Sequence, residues 1–259
     1  MVLNCRISLH TFVEAFKQTA GINSTITLPA IGMMHSVPQE EVDYGLSVLR
    51  ESILAFERAK GVPVERSKAE MPFFRQDTRM LVGPEVEMFI LPLYEQMVER
   101  PLDGEPTLIV SLDYKKLGEQ CLFENYSLIA CKSEKESFVR HYMAQLETEY
   151  DKFFYDEENT GFTADSRFFS LMCNACLEIK RQQPGEQKEW RLAALRFPEE
   201  ASFRLDQDKL ISYLPIELPV TCVKQIYLED YKKQPLLYGT LNGFLKSKGL
   251  PAEQFLNLT

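Results

Sequence analysis

The densest group of chemistry-bearing side chains in the 259-residue chain starts at Lys180 and continues through Glu186-Gln-Lys-Glu-Trp-Arg191 into Leu192-Ala-Ala-Leu-Arg-Phe197. If 189–197 is a strand, its period of two puts Glu189 and Arg191 on the side of Ala193, Leu195 and Phe197, with Trp190 sharing the other side with Leu192 and Ala194. Charges then point toward an apolar layer. A buried, unpaired charge is strongly unfavourable, so Arg191 is expected to be tied either to a carboxylate, Glu189 or Glu178, or to an anionic ligand. The first outcome is a structural salt bridge, and the second is an anion pocket.

Other residues of suitable chemistry are scattered. Arg75 and Arg79 belong to the segment 62–84, and His35 to the loop-like Gly32-Met-Met-His-Ser-Val-Pro38. If a ligand site exists, it is expected where the 184–191 segment, the 62–84 connection and the His35 loop meet, a local positive field in an acidic chain. Glu85 and Glu87 share one face of a strand, a spacing compatible with acid/base work but also with a solvated face. Cys173-Asn-Ala-Cys176 is a lone CxxC pair without the second pair or histidines that zinc needs, so no metal is expected. On a helix both cysteines fall on the stripe of Phe169 and Leu177, which favours reduced core thiols over redox or metal chemistry. His141 reads as a helix-flank residue. Neither GxGxxG nor GxxxxGK[ST] occurs, and no cofactor is expected.

The elements that must position these groups follow from periodicity. Val42, Leu46, Leu49, Ile53 and Phe56 predict a helix over 40–60, ended by Gly61-Val-Pro63. The stretch 62–84, with Pro63, Pro72 and Gly83-Pro84, reads as a long connection and the boundary candidate in an otherwise single domain, 1–259. Strands are expected at 88–91, 107–112, 121–131, 189–197, 202–205, 213–218 and 221–228, with Pro215 marking an edge or a bulge. Helices are expected over 134–156, 165–181 and 234–248, the last capped by Gly249. Strands clustered between helices, without strict βαβ alternation, give an α+β class with a mixed or mainly antiparallel sheet.

Composition narrows the function classes. The chain is 45% hydrophobic and 26% charged, a globular balance that excludes disorder and fibrous repeats. Its 29 Lys and Arg against 38 Asp and Glu leave a net charge of −9, so non-specific nucleic-acid or anionic-membrane binding is not expected. The N-terminus lacks the pattern of a secretory signal, and apolar runs such as Met88-Phe-Ile-Leu-Pro-Leu93 fall far short of the roughly 20 residues that span a bilayer. Six irregularly spaced cysteines read as thiols of a soluble, cytoplasmic protein.

Several features around the central cluster resemble one family. They are the Lys180-bearing helix, a short acidic loop, Glu186-x-x-Glu-Trp-Arg-Leu192, the Leu214-Pro-Ile-Glu-Leu218 strand, an Ile226-centred strand, and a closing helix with Leu245-Lys-x-Lys-Gly249. Together they resemble, over roughly 120–250, the C-terminal half of a widespread bacterial family of unknown function with a Glu-Trp-Arg signature. Ser36-Val-Pro-Gln-Glu40 is a degenerate counterpart of that family's Asn-Asp-Pro loop, and its Trp-x-x-Tyr element has no tryptophan here, because Trp190 is the sole one. The resemblance implies a compact cytoplasmic α+β domain and no particular reaction.

Two functional expectations follow. In one, the protein is an enzyme or binding protein for an anionic small molecule or nucleotide, using Lys180, Glu189, Arg191, Arg75, Arg79 and His35. In the other, it is a non-catalytic interaction module in which the same charges are structural and an acidic surface meets a protein partner.

Overall fold

Alternating apolar residues in the first eight positions open the chain as strand β1 (Val2–Ser8), and Ser8 then starts helix α1 (Leu9–Ala15) by accepting a 3.2 Å hydrogen bond from the Thr11 amide. The computed structural model describes residues 1–67, 69, 87–96, 106–132, 144, 147–148, 167–180, 188–206, 208–229 and 235–257. The succession continues with β2 (Thr25–Gly32), the short α2 (Met33–Ser36), the long α3 (Gln39–Ala59), β3 (Glu87–Tyr94) and β4 (Thr107–Asp113). Then come α4 (Tyr114–Glu124), β5 (Ser127–Ala130), α5 (Arg167–Glu178), β6 (Glu189–Arg196), β7 (Ser202–Asp206) and β8 (Lys209–Pro219). β9 (Val223–Leu228), α6 (Pro235–Ser247), α7 (Ala252–Phe255) and the two-residue β10 (Leu256–Asn257) close the chain.

The fold is α+β, with a curled sheet of ten described strands that is antiparallel apart from the β9–β10 pair. Its hub is β3. One edge of β3 is matched along its whole length by β6, from Glu87 opposite Arg196 to Tyr94 opposite Glu189. The other edge is divided between β2, at Phe89 and Ile90, and β1, at Tyr94. Two wings therefore leave β3 side by side, β1-β4-β9-β10 and β2-β8-β7, while β6 carries β5 on its far side. Strand alternation sends Phe89, Leu91, Leu93, Leu192 and Ala194 into a large core with α1, α4, α6 and α7. Met88, Ile90 and Ala193 face the opposite way, into a second core under α2, α3 and α5.

Most of the expected elements stand within a few residues of their anticipated bounds. The α3 stripe of Val42, Leu46, Leu49 and Ile53 is buried as its spacing requires. α6 ends as anticipated: Gly249 has φ +70, and the Leu250 amide donates 3.0 Å back to the Leu245 carbonyl. The expected 121–131 strand needs correcting. Cys121 belongs to α4, which Asp113 caps through the amides of Lys115 and Lys116 and which the left-handed Asn125 ends, so that only Ser127–Ala130 is extended. A short apolar run cannot be assigned to strand or helix by periodicity alone, and Leu117 and Cys121 share the buried helix face. β1, α1 and β2 went unanticipated. Pro215 sits opposite Pro29, in a part of β8 that pairs with β2 alone, since β7 reaches only as far as Tyr213. Of the expected helix 134–156, residues 144, 147 and 148 are described and are helical, and of 62–84 the described part contains a 3-10 turn, Val64–Arg66. Among the described residues, no helix is long and apolar enough to cross a membrane.

Candidate functional site

β6 presents Glu189 and Arg191 to the second core, as the period of two requires, and Arg191 is only 2% exposed. Each nitrogen of its guanidinium donates to a protein acceptor. Nε donates to Glu189 Oε1 at 2.8 Å, Nη1 to the Leu177 carbonyl at 2.8 Å, and Nη2 to the Glu41 carboxylate. These acceptors come from three elements: β6 itself, the last turn of α5 and the first turn of α3. The Leu177 carbonyl is among those that a helix C-terminus leaves without an intrahelical partner, and a cation there also meets the negative end of the helix dipole.

Lys180 extends the cluster, its Nζ donating to Glu189 Oε2 at 2.8 Å. Glu189 is thus held on both oxygens. Burial works to raise its pKa, but the Arg191 and Lys180 charges outweigh this and hold it below the ordinary glutamate value. For Arg191, burial works to lower the pKa, and Cys131, Glu189 and Glu41 together more than reverse it, so the guanidinium stays charged. Glu178, the other partner anticipated for Arg191, is buried against the Lys132 ammonium instead. Backbone bonds set that placement: the Lys132 amide donates to the Glu178 carbonyl at 2.7 Å, and the Lys180 amide to the Lys132 carbonyl at 2.9 Å. The exit of α5 is thereby laced onto the end of β5. Three cations (Arg191, Lys180, Lys132) and three carboxylates (Glu41, Glu189, Glu178) make up the cluster.

Where α3 crosses α5, Gly45 lies against the Cys176 backbone, and a Cβ there would sit 2.4 Å from the Cys176 carbonyl oxygen. This approach brings the first turn of α3, and Glu41 with it, within reach of Arg191. Cys173 and Cys176 are each 1% exposed in the second core, and burial raises both thiol pKa values. Burial also pushes Cys131, beside the cluster, up to about 12.

On the opposite face Trp190 donates from Nε1 to Glu95 at 3.0 Å and meets Tyr114 edge-on, with ring centroids 5.3 Å apart. Glu87 faces the large core, where its carboxylate accepts 2.6 Å from Ser212 Oγ in space left by Gly32. His35 is exposed on α2, six residues before Glu41, and takes part in none of the cluster's hydrogen bonds or ion pairs described above. Arg75, Arg79, Glu85 and His141 lie outside the described residues. Among the described residues, no three His, Cys, Asp or Glu side chains converge as metal ligands.

The structure brings together three of the residues singled out from the sequence, Lys180, Glu189 and Arg191, and adds Glu41 and Lys132, which the sequence reading did not include. Glu41 looked like an ordinary acidic residue of a helix first turn. Comparison with known protein families, curated proteins and solved structures finds no match for this chain. The resemblance to the Glu-Trp-Arg family rests on the residues quoted for it.

Proposed function

We propose that this protein is a non-catalytic interaction module, working inside the cell, in which the Arg191 cluster is a structural clamp. The observation that carries this reading is the closure of the cluster: Nε, Nη1 and Nη2 of Arg191 all donate to protein acceptors, on a side chain only 2% exposed. An anion-binding arginine needs N–H groups that a ligand can reach, and this side chain is closed off from solvent. Here the fork joins β6, α3 and α5, and the surrounding carboxylates already balance its charge. An intracellular setting suits six cysteines that are all free thiols, five of them buried.

The test is a thermal-shift screen with inorganic phosphate, nucleotides and sugar phosphates, because a ligand specific for the folded state raises the midpoint by mass action. The expected result is an unchanged midpoint. A saturable rise that disappears in Arg191→Lys would overturn this reading in favour of an anionic-ligand protein.

A further inference from the structure

The β7–β8 hairpin projects from the end of one wing of the sheet. β7 pairs with β8 over Ser202–Asp206, only Tyr213 of that stretch also pairs with β2, and among the described residues no strand pairs with the outer edge of β7. The face of this hairpin that continues the large-core side carries Phe203, Leu205 and Leu210, which are 59%, 76% and 62% exposed. Edge strands are ordinarily blunted by charged side chains, proline, a bulge or short length. β7, Ser202-Phe-Arg-Leu-Asp206, has five residues, no proline and no bulge, its register with β8 being unbroken, and Arg204 lies on the face away from Phe203 and Leu205.

Hydrogen-bond direction follows from the turn. Asp206 pairs with Lys209 across a two-residue connection in which Asp208 has φ +68, and such a closing pair is hydrogen-bonded. Alternation then turns the backbone groups of Ser202, Arg204 and Asp206 toward β8. Those of Phe203 and Leu205 point outward.

We propose that β7 pairs antiparallel with β7 of a second copy of this chain, about a two-fold axis through Arg204. This goes beyond the interaction-module reading and does not depend on it. In this register Phe203 of each copy is opposite Leu205 of the other, so the outward N–H and C=O groups of both residues are satisfied reciprocally, giving four backbone hydrogen bonds. The exposed apolar side chains pair on one face. On the other, Arg204 meets its own copy, a like-charge contact that works against the pairing. The occupant is a second copy because in this register β7 is complementary to itself, its outward backbone donors and acceptors and its exposed apolar side chains matching their own copies about a two-fold axis.

Sedimentation velocity on the full chain over a wide concentration range tests the proposal, together with oxidative cross-linking of Arg204→Cys. Residues opposite one another at a non-hydrogen-bonded position have Cα atoms about 4.5 Å apart, within the span of a disulfide. The expected results are a reversible monomer–dimer equilibrium, and a disulfide-linked dimer as the main oxidised product of Arg204→Cys but not of the wild type. Leu205→Lys, and Leu205→Pro, which removes only an outward donor, should lose the dimer while keeping the wild-type circular dichroism spectrum. Arg204→Thr, which relieves the like charge, should strengthen it. A chain that is monomeric at every concentration and does not cross-link overturns the proposal, as does a dimer indifferent to both Leu205 variants. A ligand response in the thermal-shift screen would remove the interaction-module reading and leave this pairing untouched.

Discussion

The Arg191 cluster and the β7–β8 hairpin reverse the usual distribution of polarity in opposite ways. At the cluster, charges lie inside a core, each with a partner: Arg191 is 2% exposed and bound through all three of its nitrogens. At the hairpin, Phe203, Leu205 and Leu210 stand in solvent beside an edge with no described partner. The cluster is complete in a single chain, and the hairpin is not. Residue chemistry alone would have assigned binding to the charges. The pairing proposed for β7 places binding at the apolar edge instead, where outward backbone groups have no described partner strand.

The largest effect that should separate the two regions is Arg191→Met, which leaves Glu41 without its cation and Glu189 with Lys180 alone, both largely enclosed, and should cost about 3–5 kcal/mol in urea unfolding. A cost below about 0.5 kcal/mol, the ordinary surface value, would move Arg191 into the class of the hairpin residues. Next comes Gly45→Ala, whose Cβ would meet the Cys176 carbonyl oxygen at 2.4 Å. Parting α3 from α5 should cost about 1–3 kcal/mol and loosen Glu41 from Arg191, a change that far-ultraviolet circular dichroism and unfolding curves would register together.

A smaller effect is set by pH. Glu189 has its folded pKa below its ordinary value of 4.5, so its contribution is fully present above that pH and is lost as pH falls through the folded value. Unfolding followed from neutral pH downward should therefore weaken below about pH 4.5, more steeply in the wild type than in Glu189→Gln. Equal slopes would mean that Glu189 is not held as a charged partner. The smallest expected effect is that of Leu205→Lys on folding, within about 0.5 kcal/mol because the side chain is already in water. A larger loss would make the hairpin part of the core.

Much of the fold was legible because local periodicity carries it. The β6 alternation alone separated Glu189 and Arg191 from Trp190, and the α3 stripe and the Gly249 cap were readable from spacing. What escaped depends on non-local contacts. Glu41 lies 150 residues from Arg191, and nothing in a first-turn glutamate distinguishes a clamp from a dipole partner. Gly45 looked like any helical glycine, although its reason is the Cys176 backbone across a helix crossing. The end of α4, from Cys121 on, reads as the start of a strand because Cys121 and its apolar neighbours suit either conformation until the Asp113 cap is weighed. Likewise β7 and β8 could be recognised as strands, but the exposed edge of β7 depends on where β2 stops, which pairing alone decides.

The claim that the charged cluster is a closed structural clamp is tested most directly by comparing the unfolding free energy of Arg191→Met with that of the double variant Arg191→Met, Glu41→Gln, which leaves Glu189 paired with Lys180. A closed clamp predicts that the single change is severe and that the double change recovers most of the loss, because the carboxylate left without its cation is then gone. An arginine kept for a ligand predicts the contrary, namely a single variant close to wild-type stability and a double variant no more stable than the single one.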